Sequence, residues 1–203
     1  MKRIIFFTLF IGYLSTIFGQ KINEPNCYSN FDEYKNNTPS LTFNFQLKKR
    51  TDGSIFMTGG IANYRIKKVI PSTDTEKIEY TIWGVRVNGI DYINSYPYSK
   101  IDGYNKIEGK GYYSYFIGEP ARTKTEQVEL GIIKIDEKRI DVCCQTGYVI
   151  LPTGKIMHLK PALLLELCQD DENIVNEIKE SKLKIEDVLK MFEILRKYNL
   201  TKE

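Results

Sequence analysis

The stretch Trp83-Gly84-Val85-Arg86-Val87-Asn88-Gly89-Ile90-Asp91-Tyr92-Ile93 decides how this chain folds. An Asn-Gly pair stands between two segments in which apolar residues alternate with others. Asparagine and glycine both tolerate positive φ, which a two-residue hairpin turn matched to the twist of its strands requires. Val85 and Val87 therefore belong to one strand, and Ile90 to Ile93 to its antiparallel return. Upstream, Ile78, Tyr80 and Ile82 alternate with Glu79, Thr81 and Trp83, which extends the predicted first strand back to residue 78.

The same texture continues on both sides. Leu41, Phe43, Phe45 and Leu47 alternate with Thr42, Asn44 and Gln46, the pattern of a half-buried strand. Thr51-Asp52-Gly53 predicts a turn into a partner strand over Ile55-Phe56-Met57. Tyr64 to Ile70 is a strand ended by Pro71. Gly111 to Ile117 and Val128 to Ile135 are two more, and Asp136-Glu137-Lys138 is a turn into Arg139 to Cys144. Tyr148 to Leu151 and Lys155 to Leu159 form a last hairpin around Pro152-Thr153-Gly154. One short helix is predicted near the start, over 29–34 with Ser29 as its cap.

At Pro161 the period changes. Proline suits the first turn of a helix, here running to about Cys168. Asp170 or Asp171 caps a second helix, with Ile174, Val175 and Ile178 on one face. Ile185, Val188, Leu189, Phe192 and Leu195 give a third helical stripe, with Glu186–Lys190 and Glu193–Lys197 pairs on its wet side. About nine short strands followed by helices predict an α+β fold: mainly antiparallel β, sandwich or barrel-like, followed by packed C-terminal helices. We expect one domain over 20–203, β-rich over 20–159 and helical over 160–203.

The first residues read differently. Lys2 and Arg3 precede an apolar run from Ile4 to Phe18, and Gly19 is a small residue before Gln20. That is the layout of a secretory signal peptide over 1–19. The run is about 15 residues, short of the roughly 20 that cross a bilayer. The expected location is therefore outside the cytoplasm: periplasm, outer envelope or extracellular. Once that leader is removed, no integral membrane segment is expected. The formal charge of +3 falls to +1 when Lys2 and Arg3 leave with the leader, which gives no electrostatic reason to expect nucleic acid as a partner.

Several passages resemble an uncharacterised family of secreted bacterial proteins from Bacteroidota. Tyr34-Lys35-Asn36-Asn37-Thr38-Pro39 is similar to an early segment of that family, and Gly53-Ser54-Ile55-Phe56-Met57 to the strand after it. Thr153-Gly154-Lys155 and the Leu163-Leu164-Leu165 helix resemble its C-terminal turn and helix, and Phe18-Gly19-Gln20 the end of its leader. The family is a domain of unknown function, so the resemblance implies a compartment and a single unit but no site. The Cys143-Cys144 doublet is a departure from it.

Catalytic motifs are weak. The single histidine, His158, lies on the last predicted strand without a recognisable nucleophile. Adjacent cysteines on a strand point to opposite faces, which is poor geometry for one zinc ion. Asp170-Asp171-Glu172 reads as a helix cap and not as a calcium loop. Gly109-Lys110-Gly111 is too short for a phosphate loop. We expect no catalytic residue, cofactor or metal site. Cys144 is expected to be a buried hydrophobe, while Cys143 is free to form a disulfide with Cys27 or Cys168 in an oxidising compartment.

The 14 tyrosines carry the functional hint. A phenol joins a broad apolar face to a polar tip and suits wet contact surfaces. The candidate binding surface is Tyr92, Tyr96, Tyr98, Tyr113 and Tyr115, with a protein, peptide or glycan as partner. The expected function is a non-enzymatic binding or envelope-associated role. The alternative is a hydrolase-type enzyme using scattered carboxylates and tyrosines.

Overall fold

The computed structural model describes residues 25–57, 62–100, 102–118, 122–130, 133–141 and 145–203. The fold is α+β, with a ten-stranded antiparallel sheet that does not close into a barrel. The Asn88-Gly89 hairpin lies within it. Asn88 and Gly89 sit at φ 52 and 77, and Gly84–Val87 (β5) pairs with Ile90–Asn94 (β6), Arg86 directly opposite Asp91. Gly89→Ala should cost about 1 kcal/mol, because a Cβ disfavours left-handed backbone. An unchanged urea midpoint for that variant would contradict the turn.

The other strands are Asn26–Tyr28 (β1), Leu41–Thr42 (β2), Asn44–Lys49 (β3), Tyr64–Ile70 (β4), Tyr104–Gly109 (β7), Ser114–Gly118 (β8), Thr146–Ile150 (β11) and Ile156–His158 (β12). Their order is β12-β11-β8-β7-β6-β5-β1-β2. Strand β4 joins through Tyr64 opposite Tyr104 of β7 and carries β3 on its far side. Arg122–Leu130 (β9) and Ile133–Asp141 (β10) form a separate two-stranded ribbon.

Period-two alternation sorts the core to the two faces of the sheet. Val85 faces a cluster with Cys27, Phe45, Ile78, Ile82 and Tyr104. Ile93 faces another with Tyr28, Tyr34, Phe116 and Ile150. Beside these, Tyr113, Tyr115 and Val149 meet the C-terminal helices Pro161–Leu167 (α4), Glu172–Ser181 (α5) and Val188–Leu200 (α6). Asp171 caps α5, its Oδ1 accepting from the Asn173 and Ile174 amides at 3.1 Å each. Along α6 the buried stripe is Val188, Met191, Phe192, Leu195 and Tyr198. Burying each such side chain contributes about 1.5–3 kcal/mol before the entropy of ordering it.

Several expectations change. Residues 55–57 are not a strand: Asp52–Met57 (α2) is helical, with the Thr51 hydroxyl accepting from the Ser54 amide and the Thr51 carbonyl from Ile55. A threonine that caps a helix outcompetes a hairpin turn there, and β3 pairs with β4 instead. Residues 77–81 form a π-helical turn, not a strand. Ile78 and Ile82, four apart, are both buried, so one face of a helical turn satisfies the same apolar spacing. The carbonyls this turn leaves over are taken up by Asn94 Nδ2, which donates to Glu79 and Ile82 at 2.9 Å each. Asp136-Glu137-Lys138 lies inside β10 and is no turn. The third C-terminal helix begins at Val188, leaving Ile185 outside it and 53% exposed. Lys190 and Lys197 pair with Asp187 and Glu177.

Candidate functional site

The site begins with five residues of sequence near the first strand. Phe31–Lys35 (α1) is fixed at its start by Asn30, whose Oδ1 accepts from the Glu33 amide at 3.0 Å. Glu33 reaches back to accept from the Ser29 amide at 2.7 Å and from the Ser40 hydroxyl at 2.9 Å. This reciprocal cap makes a helix of barely more than one turn persist. It places Phe31 and Tyr34 on Trp83, the single tryptophan. The Tyr34 and Trp83 rings stack with centroids 4.5 Å apart, and Phe31 lies 5.5 Å from Trp83.

The hairpin supplies the charges. Arg86 and Asp91 form a bidentate pair, Nε to Oδ1 at 2.6 Å and Nη2 to Oδ2 at 3.0 Å. Lys110, just past β7, also pairs with Asp91 Oδ2. The Asp91 side chain is only 1% exposed, and a carboxylate that deep requires such partners. Each cation also lies over a ring, Arg86 over Tyr28 at 5.6 Å and Lys110 over Tyr34 at 5.9 Å. Asn37, in left-handed backbone after α1, accepts on Oδ1 from the Tyr28 hydroxyl and from Arg86 Nη1.

Of these groups, Phe31, Tyr34, Asn37, Arg86 and Lys110 help to wall a cavity of about 310 Å³. Phe31, Tyr112, Ile150 and Pro152 give it apolar sides, and Lys35, Arg86 and Lys110 give it positive charge. Tyr34 lines it, and the Tyr34 hydroxyl is buried with no partner in hydrogen-bonding geometry. Burial pushes the Tyr34 phenol up to about 12, with the neighbouring Ser114 hydroxyl acting against the rise, so the phenol keeps its proton at neutral pH.

The rim is held from far away in sequence. Asn199 of α6 accepts on Oδ1 from the Tyr113 amide and donates Nδ2 to the Tyr113 carbonyl, both at 2.8 Å. A Cβ on Gly111 would stand 2.6 Å from Asn199 Nδ2, so the loop fits against α6 only because residue 111 is glycine. The segment Lys110-Gly111-Tyr112 is thereby keyed to the C-terminal helix.

A second cavity, of about 470 Å³, mixes Arg50, Arg65, Lys67 and Lys100 with Glu79 and Asp102. Burial, then the Asp102 charge, raises the Glu79 carboxyl, while Arg50 holds backbone, donating to the Asp102 and Ser54 carbonyls at 3.1 and 3.2 Å. His158 is exposed, its ring 5.7 Å from that of Tyr148, and burial of part of the ring together with Lys160 lowers its pKa. Among the described residues, no group of three or more histidine, cysteine or acidic side chains could hold a metal ion. No described helix is long and apolar enough to cross a membrane.

The five tyrosines named from the sequence do not share one surface. Tyr113 and Tyr115 are buried under α6, stacked on Tyr198 at 5.7 Å and lying against Phe192 at 4.5 Å. The apolar stripe of α6 needs a partner, and this face of β8 provides it. Tyr98, on the short helix Tyr96–Ser99 (α3), is turned inward, its hydroxyl donating to Ser95 Oγ and accepting from Asn105 Nδ2 at 3.1 Å each. Tyr92 is half-buried on the opposite face against Tyr64, and Tyr96 lies against Tyr80.

The cysteines separate as well. Cys27 and Cys168 are free, buried thiols in different clusters, each pushed up to about 12 by burial. Cys143 and Cys144 lie outside the described residues. Since the thiolate is the reactive form, iodoacetamide at pH 8 should leave Cys27 and Cys168 unlabelled in the native chain and label both after denaturation. Native labelling of either would contradict the buried assignment.

The elements that build the pocket run from β1 to α6. The profile of a family of unknown function (DUF6563) matches residues 26–202, the same span. The chain belongs to this family. The DUF6563 match takes in every residue of the pocket and leaves residues 1–25 outside it. Neither a curated protein nor a solved structure matches the chain.

Proposed function

We propose that this DUF6563 protein is an exported, non-enzymatic binding protein that takes a small ligand in the pocket of Phe31, Tyr34, Arg86, Lys110 and Tyr112. The observation that carries the reading is the cavity itself, in which Lys35, Arg86 and Lys110 converge beside apolar walls and the wall residue Tyr34 keeps a buried hydroxyl without a partner in hydrogen-bonding geometry. A buried donor left unpaired costs about 1–3 kcal/mol, and a bound acceptor recovers it. The cavity is at the small end of the range for ligand sites, which run from roughly 300 to 1,000 Å³. Its mixture of rings and convergent polar groups fits recognition better than chemistry.

Export rests on the basic and apolar leader and on the likeness to secreted proteins of Bacteroidota. Periplasm, outer envelope or medium would each suit it. The tyrosine contribution is smaller than the sequence implies and moves to Tyr34 and Tyr112. Native mass spectrometry of the exported chain should show the mature polypeptide from Gln20 with a small molecule attached, and Tyr34→Ala should lose the attached mass. A ligand-free chain with Met1 still present would overturn both parts.

The hydrolase alternative has one observation in its favour. Glu79, Tyr80 and Asp102 lie near one another beside the second cavity, and burial with the Asp102 charge favours the protonated Glu79 acid. Turnover of a chromogenic ester or glycoside, abolished by Glu79→Gln, would decide for that reading.

A further inference from the structure

We infer that the ligand of this pocket is a small organic anion with a flat apolar body. This rests on the pocket reading above and names the class of molecule it takes.

The argument is an inventory of donors and acceptors. Lining the cavity are Lys35, Arg86 and Lys110, which only donate, and Tyr34, whose protonated hydroxyl is a further donor. Arg86 has five N–H groups, and its described bonds, two to Asp91 and one to Asn37, use three of them. The carboxylate and amide acceptors beside these cations are already taken. Both Asp91 oxygens are occupied by Arg86 and Lys110, and Asn37 Oδ1 accepts from Tyr28 and Arg86. The hydroxyls of Tyr34, Tyr112 and Ser114 can act in either sense.

A neutral sugar brings many hydroxyl protons, for which the lining side chains offer only a few hydroxyl acceptors against three cationic donors. A carboxylate or phosphate brings only acceptors. It would satisfy the buried Tyr34 donor and share the two open guanidinium protons. It would also offset three cations that Asp91 alone does not balance. Phe31 and Tyr112 at the wall, with Ile150 and Pro152, leave the remainder of the space to an apolar, flat group.

Trp83 reports on the site, because its ring stacks on Tyr34. The mature chain is titrated with phenylacetate, phenyl phosphate, phenylacetamide and methyl glucoside, following Trp83 fluorescence. The two anions should bind about tenfold or more tighter than phenylacetamide, since one charge-assisted hydrogen bond contributes about 1.5–3 kcal/mol. The preference between the two anions tells carboxylate from phosphate. Rising salt should weaken both, and Lys35→Gln, an exposed substitution that leaves the core intact, should weaken both severalfold. Tyr34→Phe should weaken them further.

Equal binding of phenylacetamide or methyl glucoside, lost in Tyr34→Phe, overturns the anion inference and keeps the pocket. Anion binding that Tyr34→Phe and Lys35→Gln leave unchanged overturns both. A silent Trp83 with all four probes also counts against the anion.

Discussion

Asn199→Ala should destabilise the fold by about 3 kcal/mol and displace the pocket rim. The side chain is buried, 4% exposed, and closes a ring of two hydrogen bonds with the Tyr113 backbone. Alanine leaves a buried amide and a buried carbonyl unpaired, at about 1–3 kcal/mol each. Asn199→Asp accepts but cannot donate from that atom, so it should recover only part of the loss. Urea unfolding followed at Trp83 measures both. Gly111→Ala offers an independent approach from the other side, because its new methyl meets the Asn199 carboxamide. If either substitution leaves the midpoint within error, the contact between α6 and the loop does not hold the rim.

Asp91→Ala should cost about 2–3 kcal/mol, for a different reason. The carboxylate is buried and binds two cations, so its removal leaves Arg86 and Lys110 repelling each other above the Tyr28 and Tyr34 rings. Breaking a fully buried pair costs about 3–5 kcal/mol. The value here is smaller because the Arg86 and Lys110 side chains keep 25% and 50% of their exposure and stay partly hydrated. The double change Asp91→Leu with Arg86→Met should restore much of the stability while abolishing anion binding. Stability lost equally in the double variant would show that shape, and not charge, sets the cost.

Much of the fold is legible in the sequence. Asn88-Gly89 specifies its turn by local sterics alone, and that turn places Arg86 opposite Asp91. Pro161 and Asp171 mark helix starts for equally local reasons. The errors arise where one apolar spacing suits two structures. Ile78 and Ile82 satisfy a strand face or one helical turn, and the tie is broken by Asn94, far away in sequence. Thr51 could begin a turn or cap a helix, and the pairing of β3 with β4 decides.

The site was less legible. The cross-strand pair of Arg86 and Asp91 follows from a two-residue turn, and that signal was present. Nothing local shows that Lys110 joins them, since its position depends on β7 and on Asn199. Tyr113 and Tyr115, two apart in sequence, share a face as strand alternation dictates, but α6 covers that face. Composition shows that tyrosines are abundant; only tertiary packing shows which of them remain open.

The pocket is most directly tested by chemical-shift mapping. Small molecules released by denaturing the exported chain are added back to freshly refolded, 15N-labelled protein. Perturbed amides are predicted at Phe31 to Asn37, Arg86, Lys110 to Ser114 and Ile150, the residues that line the 310 Å³ cavity or flank those that do. Perturbations centred on Arg65 to Lys67 and Lys100 to Asp102, beside the second cavity, or no perturbation at all, would contradict the assignment.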